Sequence, residues 1–368
     1  MNVFDRTKPF NQLPVLPPDD SAVYSKEVLL KLSEAHRSLG KLDGISSKLP
    51  NPKMLVNTIS LQEAKSSSEI ENIFTTDDEL YKALSTTDTK ISPAAKEVLR
   101  YRESLWAGVR SIEQEGLISL KTMIKIYQII KETHSEIRSE HSYVRIIKGG
   151  ESSTSGEIVY TPPRGDKLLN ELIKNHLVYL NDDDQYETDS LLKMVISHYQ
   201  FEAIHPFTDG NGRTGRILNT LVLMNKGLLT YPILYLSKYI IDNKESYYHY
   251  LNGVSARGDW ERWLVYMLEA VRVTADYTVF KIEEIMLQFS ETRKHIEKHL
   301  PKMDYSVIEA IFTQPYIKAI HIVGDKIKSR NTARKYLDQL CEIKVLELRH
   351  IGNENVYINN DLVRILEN

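Results

Sequence analysis

The chain has 368 residues, of which 42% are hydrophobic and 26% charged, and its net charge is −3 at pH 7. These values are typical of a soluble globular protein and exclude a global electrostatic attraction to nucleic acid or anionic lipid. The single cysteine, Cys341, excludes an internal disulfide and fits a reducing compartment. Because no signal peptide is evident and no apolar run approaches the roughly 18–20 residues of a membrane span, we expect a cytoplasmic protein of two or three domains.

The N-terminal arm is predicted to be extended. Four prolines between residues 9 and 18 forbid helix and favour an irregular or extended conformation over residues 1–25. From residue 26 the apolar spacing becomes helical, which predicts a first helix over 26–40 that ends at Gly40 or Gly44.

Further helices are predicted after a Pro-Asn-Pro turn at 50–52. The apolar spacing places them at 53–71 and then around 94–114 and 119–134. Residues 143–165 break this pattern, because two short runs rich in β-branched residues flank a glycine- and serine-bearing loop. That arrangement predicts a β-hairpin.

The second half of the chain is predicted to be a helical bundle followed by a small separate unit. Helical periodicity runs from 166 to 285, and Pro301 marks a boundary. Residues 305–368 have the order helix, helix, helix, strand, strand, short helix, which predicts a winged helix-turn-helix.

Twelve residues from His205 to Arg216, with the sequence HPFTDGNGRTGR, carry the strongest chemical signal. They contain the pattern GxGxxG, but a dinucleotide-binding fold needs a strand directly before the glycines. The preceding residues, Leu191 to Ile204, have helical periodicity instead. The Walker A pattern fails as well, because no Gly-Lys-Ser/Thr follows, so we reject both nucleotide-binding folds.

A joint between two helices fits these residues better. Gly210 and Gly212 can adopt positive φ, so that backbone N–H groups converge with those of a helix starting near Arg213 into an anion-binding nest. Arg213 and Arg216 lie three apart and can bridge consecutive phosphates. Asp209 suits this place when Mg²⁺ lies between it and the phosphates.

His205 titrates near neutrality and can take a proton from an attacking hydroxyl. The structural alternative is a plain helix–loop–helix joint with an incidental Gly-Asn-Gly turn and solvated arginines. The combination of one histidine, one aspartate and two arginines at these spacings favours the phosphate site.

This segment resembles the signature of the Fic family, HPFx[D/E]GNGRxxR, at every specified position, and residues 115–280 resemble the family core. The resemblance implies a protein adenylyltransferase, a nucleotidyltransferase that moves AMP from ATP to a Ser, Thr or Tyr hydroxyl of a protein, itself included, and releases pyrophosphate. It implies that His205 is the general base, that Asp209 holds Mg²⁺ and that Arg216 takes the γ-phosphate. The ATP-contacting residues implied in this segment are His205, Asp209, Gly210, Asn211, Gly212, Arg213, Thr214, Gly215 and Arg216.

A second motif resembles the inhibitory helix of one Fic class. Residues 67–72, Ser-Ser-Glu-Ile-Glu-Asn, fit the pattern [S/T]xxxE[G/N]. Ser67 and Glu71 are four apart and share one helical face. The resemblance implies that Ser67, Glu71 and Asn72 are inhibitory and that Glu71 occupies the γ-phosphate subsite by pairing with Arg216. An ordinary solvated Glu/Ser helix is the alternative.

The predicted hairpin resembles the family's flap. On that basis Ile158, Val159 and Tyr160 lie across the nucleotide, and the flap edge could pair with an extended target segment. A plain surface hairpin is the alternative. Tyr247 is a candidate for stacking near adenine, with packing in the core as the alternative.

The C-terminal unit carries basic residues where a winged helix meets DNA, namely Lys326, Lys328, Arg330, Arg334 and Lys335. Residues 303–368 nevertheless contain nine Lys/Arg and nine Asp/Glu, whereas dedicated DNA binders are more basic. We therefore favour protein docking or dimerisation over DNA binding through 326–341. Pairing of two chains through the helical core is also open.

The expected fold is mainly α, a Fic-type helical bundle with a β-hairpin flap followed by a small winged helix-turn-helix domain. We place an N-terminal region at 1–114, including the inhibitory helix at about 53–72, the catalytic core at 115–285, a linker helix at 286–302 and the winged helix at 303–368. Two other functions stay open. One is a winged-helix regulator with a nucleotide-sensing core, and the other is an enzyme that removes AMP with Glu71 positioning water.

Overall fold

Helices account for most of this protein in the computed structural model, which describes residues 4–47, 53–85, 91–148 and 156–367. The predicted turn at 50–52 and the glycine- and serine-rich loop of the hairpin at 149–155 lie outside the described residues. The mainly α prediction is confirmed.

Six helices precede the hairpin in the described residues. They are α1 (Asp20–Val23), α2 (Lys26–Ser46), α3 (Lys53–Ile70), α4 (Asp77–Ser85), α5 (Pro93–Glu115) and α6 (Leu120–Lys131). The prediction of no helix before residue 26 was wrong for α1, which follows the proline-rich stretch. Sequence reasoning also missed α4.

The predicted end of the helix that begins at residue 26 was wrong, because α2 runs through both Gly40 and Gly44 to Ser46. A glycine inside a helix costs about 1 kcal/mol relative to alanine. Here α2 packs along the long C-terminal helix of the bundle and buries Val28, Leu39 and Leu42, and this burial outweighs the cost.

The hairpin and the bundle follow in chain order. They comprise β1 (Ile146–Lys148), β2 (Glu157–Tyr160), α7 (Asp166–Asn181), α8 (Ser190–Ile204), α9 (Asn211–Asn225), α10 (Leu236–Asp242), α11 (Lys244–Arg257) and α12 (Trp260–His299). The strands pair antiparallel with Ile147 opposite Ile158. The predicted boundary at residue 285 falls inside the continuous helix α12, and the last part of that helix, up to His299, covers most of the predicted linker helix at 286–302.

Helix α8 lies at the centre of the bundle. All its residues from Leu191 to Ile204 are buried, and Asp189 caps its first turn by accepting hydrogen bonds from the backbone of Leu191 and Leu192. A helix buried all round is held rigidly by its neighbours. Its C-terminal end therefore fixes the residues that follow it.

The C-terminal unit contains α13 (Tyr305–Thr313), β3 (Tyr316–Ile317), α14 (Ala319–Ile322), α15 (Arg330–Glu342), β4 (Glu347–Ile351), β5 (Glu354–Ile358) and α16 (Asn360–Glu367). This is the predicted order with one added strand, and the sheet is antiparallel in the order β3-β5-β4. The unit packs on α4 and α12, where Tyr316 Oη donates to Asp78 and Lys281 Nζ donates to the Ile365 carbonyl. In the part of the chain that the structure describes, no helix combines the length and apolar character that a bilayer crossing requires.

Candidate functional site

The segment 205–216 forms the joint between α8 and α9. His205 ends α8 in the left-handed conformation with φ 52°, and Gly210 precedes α9 with φ 73°. A left-handed histidine is uncommon and marks a residue whose position is set by its surroundings. Residues 205–210 thus join two helices that pack against each other.

Asn211 holds the loop of this joint together. Its Oδ1 accepts from the Phe207 backbone N–H at 2.9 Å and its Nδ2 donates to the Phe207 carbonyl at 2.8 Å. The Phe207 ring stacks on Tyr127 with centroids 4.1 Å apart. The Asn211 side chain is therefore used within the loop, which leaves only its backbone for a phosphate.

The first turn of α9 lies where the nest was predicted. Gly210 at the N-cap supplies no side chain to the turn, so the N–H groups of residues 211–213 face the concavity uncapped. The prediction of positive φ was right for Gly210 and wrong for Gly212, which has helical backbone inside α9. Gly212 is required for space, because a Cβ there would collide with the Glu71 carboxylate and the Arg216 guanidinium.

Two other motif residues face away from the nest. Thr214 is buried and donates its hydroxyl hydrogen bond to the Gly210 carbonyl. A Cβ on Gly215 would collide with Glu202 and Phe201 of α8. Both positions therefore serve helix packing, and the contact of Thr214 and Gly215 with ATP stays a prediction that only their backbone could fulfil.

His205 lies half-buried beside the nest. Its Nδ1 is 3.4 Å from the Glu202 carbonyl, which can only accept, so Nδ1 carries the proton and Nε2 keeps its lone pair. Burial, and secondarily the charge of Arg138, lower the pKa of His205 to about 4. The imidazole is thus neutral near pH 7 and able to accept a proton.

Arg138 is a site residue that sequence reasoning missed. Its guanidinium donates to the carbonyls of His205 at 2.7 Å, Pro163 at 2.6 Å and Ile204 at 3.2 Å. It thereby ties the end of the hairpin to the end of α8. Arg138 lies in an irregular segment with no periodicity, so nothing in the pattern pointed to it.

Arg216 is surrounded by the end of α3. Its Nε donates to Ser67 Oγ at 2.7 Å, and its Nη2 donates to the Ser67 carbonyl at 2.8 Å and to Glu71 Oε1 at 2.7 Å. The Arg216 side chain is 2% exposed and that of Glu71 is 33% exposed. Burial alone would lower the pKa of Arg216, but the Glu71 carboxylate raises it above its ordinary value.

The position of Glu71 is set by a Schellman motif at the end of α3. The backbone N–H of Ile73 donates to the Ser68 carbonyl, and that of Asn72 donates to the Glu69 carbonyl, both at 3.0 Å. Asn72 takes the left-handed conformation that this motif requires, with φ 61°. Glycine and asparagine are the residues that tolerate it, which gives a physical reason for Asn after Glu71.

The second arginine of the motif has a different partner. Arg213 pairs with Glu97 of α5, and Asp209 Oδ2 accepts from Lys131 Nζ at 2.5 Å. Each of the two arginines is thus paired with a carboxylate, Arg213 with Glu97 and Arg216 with Glu71, and their bridging of consecutive phosphates stays a prediction. Burial would raise the pKa of Asp209, but the hydrogen bond and charge of Lys131 hold it below its usual value.

The residues present fit a magnesium ion that arrives with a nucleotide. Asp209 is a hard oxygen donor with a side chain 65% exposed at the edge of the nest. Within the described residues no group of three or more His, Cys, Asp and Glu could hold a metal. One carboxylate together with substrate phosphates is a usual way of binding Mg²⁺ in proteins.

Three residues of the hairpin, Ile158, Val159 and Tyr160, were predicted to lie across the nucleotide. Tyr160 is buried, donates from its hydroxyl to the Ala203 carbonyl at 3.0 Å and packs against Phe4 and Phe10, so it does not lie over the nest. Ile158 and Val159 are half-buried and point to opposite faces of β2.

The adenine prediction for Tyr247 was wrong. The residue is 2% exposed, and its hydroxyl is 2.9 Å from Nε2 of His198 inside the bundle. Its neighbour Tyr248 is the exposed ring of the pair.

Glu202 is a buried carboxyl on α8, one turn before His205. Its Oε1 has no hydrogen-bond partner among the described residues. Burial raises the pKa of Glu202 to about 8, against the opposing charge of Arg216. A neutral carboxyl therefore lies beneath the nest at pH 7.

Comparison with known proteins adds three family matches. The models described as Fic/DOC family N-terminal, Fic/DOC family, and the C-terminal domain of SoFic-like protein adenylyltransferases match residues 29–110, 117–223 and 288–362. The chain is 27% identical over 176 residues to the protein adenylyltransferase Fic of Aedes aegypti, which covers 47% of this chain and 32% of that relative. It is 25% identical over 207 residues to that of Culex quinquefasciatus, covering 54% of this chain and 38% of the relative. The chain thus spans well under half the length of these curated relatives.

Solved structures share the fold. A Fic family protein from Desulfovibrio desulfuricans G20 superposes with a TM-score of 0.58 at 19% identity, covering 93% of this chain and 98% of that one. Fic-1 from C. elegans gives a TM-score of 0.52 at 20% identity, covering 71% and 74%.

Proposed function

This chain belongs to the Fic family, and on that premise we propose that it transfers AMP from ATP to a hydroxyl side chain of a protein, itself included. The observation that carries the proposal is the neutral His205 beside a backbone nest whose arginine, Arg216, is held by Glu71. A base, a phosphate cradle and a removable carboxylate are together what regulated phosphoryl chemistry needs.

The transfer step uses His205 as the base. The lone pair on Nε2 takes the proton of a Ser, Thr or Tyr hydroxyl as its oxygen attacks the α-phosphorus. The new P–O bond forms while the bond to the β-phosphate oxygen breaks, so pyrophosphate leaves and AMP stays on the protein. The uncapped N–H groups of residues 211–213 stabilise the phosphate charge.

Asp209 would hold Mg²⁺ against the phosphates, and the ion supplies neutralisation of their charge. The exposure of the Asp209 carboxylate at the edge of the nest supports this role. The ion therefore depends on the nucleotide for most of its ligands.

Glu71 restrains this activity by occupying Arg216. A guanidinium that donates to Ser67 and Glu71 cannot also hold the γ-phosphate of ATP. The nucleotide then has no anchor for its terminal phosphate and does not align its α-phosphorus with His205. Removal of the Glu71 carboxylate opens this subsite.

A second candidate is removal of AMP from a modified protein. It is favoured by the partial exposure of the Glu71 carboxylate, which can hold a water molecule in the same site. A nucleotide sensor without chemistry is less well supported, because sensing does not require the neutral base His205.

Incubation with Mg²⁺ and ATP labelled at the α-phosphate separates these functions. We expect label on protein with the Glu71→Gly chain, little with wild type, and a roughly 10²- to 10⁴-fold slower reaction with Glu71→Gly/His205→Ala. Loss of label from a pre-modified target in the presence of wild type, with no labelling by Glu71→Gly, would support removal instead.

A further inference from the structure

Four charged side chains from four elements meet beside the nest. Lys131, the last residue of α6, places its Nζ 2.5 Å from Asp209 Oδ2 and 3.9 Å from Glu97 Oε1. Glu97 also pairs with Arg213. The stem of Lys131 lies against Gly210, where an added Cβ would be 3.2 Å from its Cγ and Cδ. Glycine at 210 therefore leaves room for this lysine as well as for the turn.

Both carboxylate oxygens of Asp209 are engaged. Oδ1 accepts from the Gly210 backbone N–H at 2.6 Å, and Oδ2 accepts from Lys131. The backbone hydrogen bond is part of the turn, whereas the lysine is on a flexible stem. A cation that binds Asp209 Oδ2 therefore competes with the Lys131 ammonium, since two positive charges at one oxygen repel each other.

Lys131 has a second acceptor within reach. Its side chain is 28% exposed and Glu97 is 20% exposed, so the ammonium can shift from one carboxylate to the other without leaving the protein surface. A four-carbon stem allows such a change by rotation of its side-chain bonds.

We propose that Lys131 is a tethered counter-ion of the metal position, which neutralises Asp209 in the nucleotide-free chain and moves to Glu97 when a divalent cation binds. The inference rests on the proposed function in one respect, the assignment of Asp209 to the metal. It makes Lys131 a positioning residue that sets how tightly the metal is held and keeps Asp209 from attracting cations without nucleotide.

The test measures metal binding directly. The full-length Glu71→Gly chain, in excess over α,β-methylene ATP, which cannot be cleaved at the α-phosphate, is titrated with Mn²⁺. Free Mn²⁺ is followed by electron paramagnetic resonance. Lys131→Gln should lower the Kd for Mn²⁺ by about 2- to 5-fold, the scale of one partly exposed charge pair.

Two matched variants control for charge and for folding. Lys125→Gln removes one charge from an exposed position of the same helix and should leave the Kd unchanged. Lys131→Arg keeps the charge and should keep the Kd of the parent, which separates a charge effect from damage to α6.

The outcomes distinguish this inference from the proposed function. If Asp209→Asn leaves Mn²⁺ binding unchanged, the assignment of the metal to Asp209 is wrong. If Asp209→Asn weakens binding but Lys131→Gln leaves the Kd unchanged or raises it, the counter-ion role is overturned while the metal assignment stands.

Discussion

At the scale of single residues, we propose that the pair of Glu71 and Arg216 controls whether the site accepts ATP. A close pair of this kind is worth on the order of 2–4 kcal/mol after desolvation, which corresponds to roughly 30- to 1,000-fold in rate. We therefore predict that Glu71→Gly raises the rate of α-labelled AMP transfer by a factor in that range.

The matched control is Glu69→Gly, which places the same glycine two residues earlier at the end of α3. Glu69 makes no contact with Arg216 in the described structure, so its variant should transfer AMP at the wild-type rate. An equal increase from both variants would show that a loosened helix end, and not the carboxylate, is responsible.

The lowered pKa of His205 predicts an unusual dependence of AMP transfer on pH. Because burial lowers its pKa to about 4, the imidazole stays neutral as the pH falls below the ordinary histidine value of about 6.5. The kcat/KM of the Glu71→Gly chain should therefore stay level from about pH 8 to 5.5 and fall only as pH approaches 4. Circular dichroism at each pH checks that the chain is folded. An acid limb centred near 6.5 would be at odds with a buried neutral base.

At the scale of elements, the end of α3 is held by its Schellman motif. Ile at position 72 would place a β-branched residue at φ 61°, which costs about 1–3 kcal/mol and shifts Glu71. We predict that Asn72→Ile raises AMP transfer above wild type but below Glu71→Gly. Asn72→Gly, which tolerates the conformation, should transfer at the wild-type rate; a low rate for both variants would mean that the motif does not position Glu71.

Glu202 on helix α8 should make the stability of the chain depend on pH. In the folded chain its pKa is about 8, against 4.5 for an ordinary glutamate. Between these values the unfolded chain has released this proton while the folded chain still binds it, so the stability contributed by the neutral form is lost as pH rises through the window.

We predict that the free energy of unfolding of Glu202→Gln, relative to wild type, grows between about pH 4.5 and 8 by a few kcal/mol. Urea unfolding at three pH values within that window measures it. Glu115→Gln, at an exposed position, should show no such trend. Parallel curves for wild type and Glu202→Gln would contradict a buried neutral carboxyl.

The sequence predicted those features of the site that neighbouring residues determine. It did not predict the features that depend on contacts between distant parts of the chain. The motif 205–216 fixed the joint, the nest and the histidine, because glycine and helix-start preferences act locally. The sequence did not predict that Arg213 pairs with Glu97, because Glu97 is far from Arg213 along the chain. It did not predict the role of Arg138 either, because this residue lies in an irregular segment far from His205 in the sequence. Tertiary packing likewise explains why α2 continues past Gly40 and Gly44 and why Tyr247 is buried in the core.

At the scale of the whole molecule, the C-terminal unit packs onto the core and carries a balanced charge. Three of its basic residues lie near carboxylates: Lys326 is 3.9 Å from Asp304, Lys328 is 3.8 Å from Asp325, and Arg334 is 3.9 Å from Asp338. These three cations thus lie beside negative charges, which weakens the net positive field that the unit presents to DNA.

We therefore predict that the full-length chain binds a random 20-base-pair duplex no more tightly than about 10⁻⁵ M at physiological salt, measured by fluorescence anisotropy. Lys328→Glu/Arg334→Glu should leave that weak binding nearly unchanged. Tighter binding that falls steeply with salt and is abolished by the double variant would assign DNA to this unit.

The most direct measurement is a crystal structure of the Glu71→Gly chain with Mn²⁺ and α,β-methylene ATP. We expect the α-phosphorus next to His205 Nε2, the γ-phosphate on the Arg216 guanidinium, and an anomalous Mn²⁺ peak on Asp209. A triphosphate bound elsewhere, or bound in this joint with Arg216 still turned to Ser67 and away from the phosphates, would contradict it.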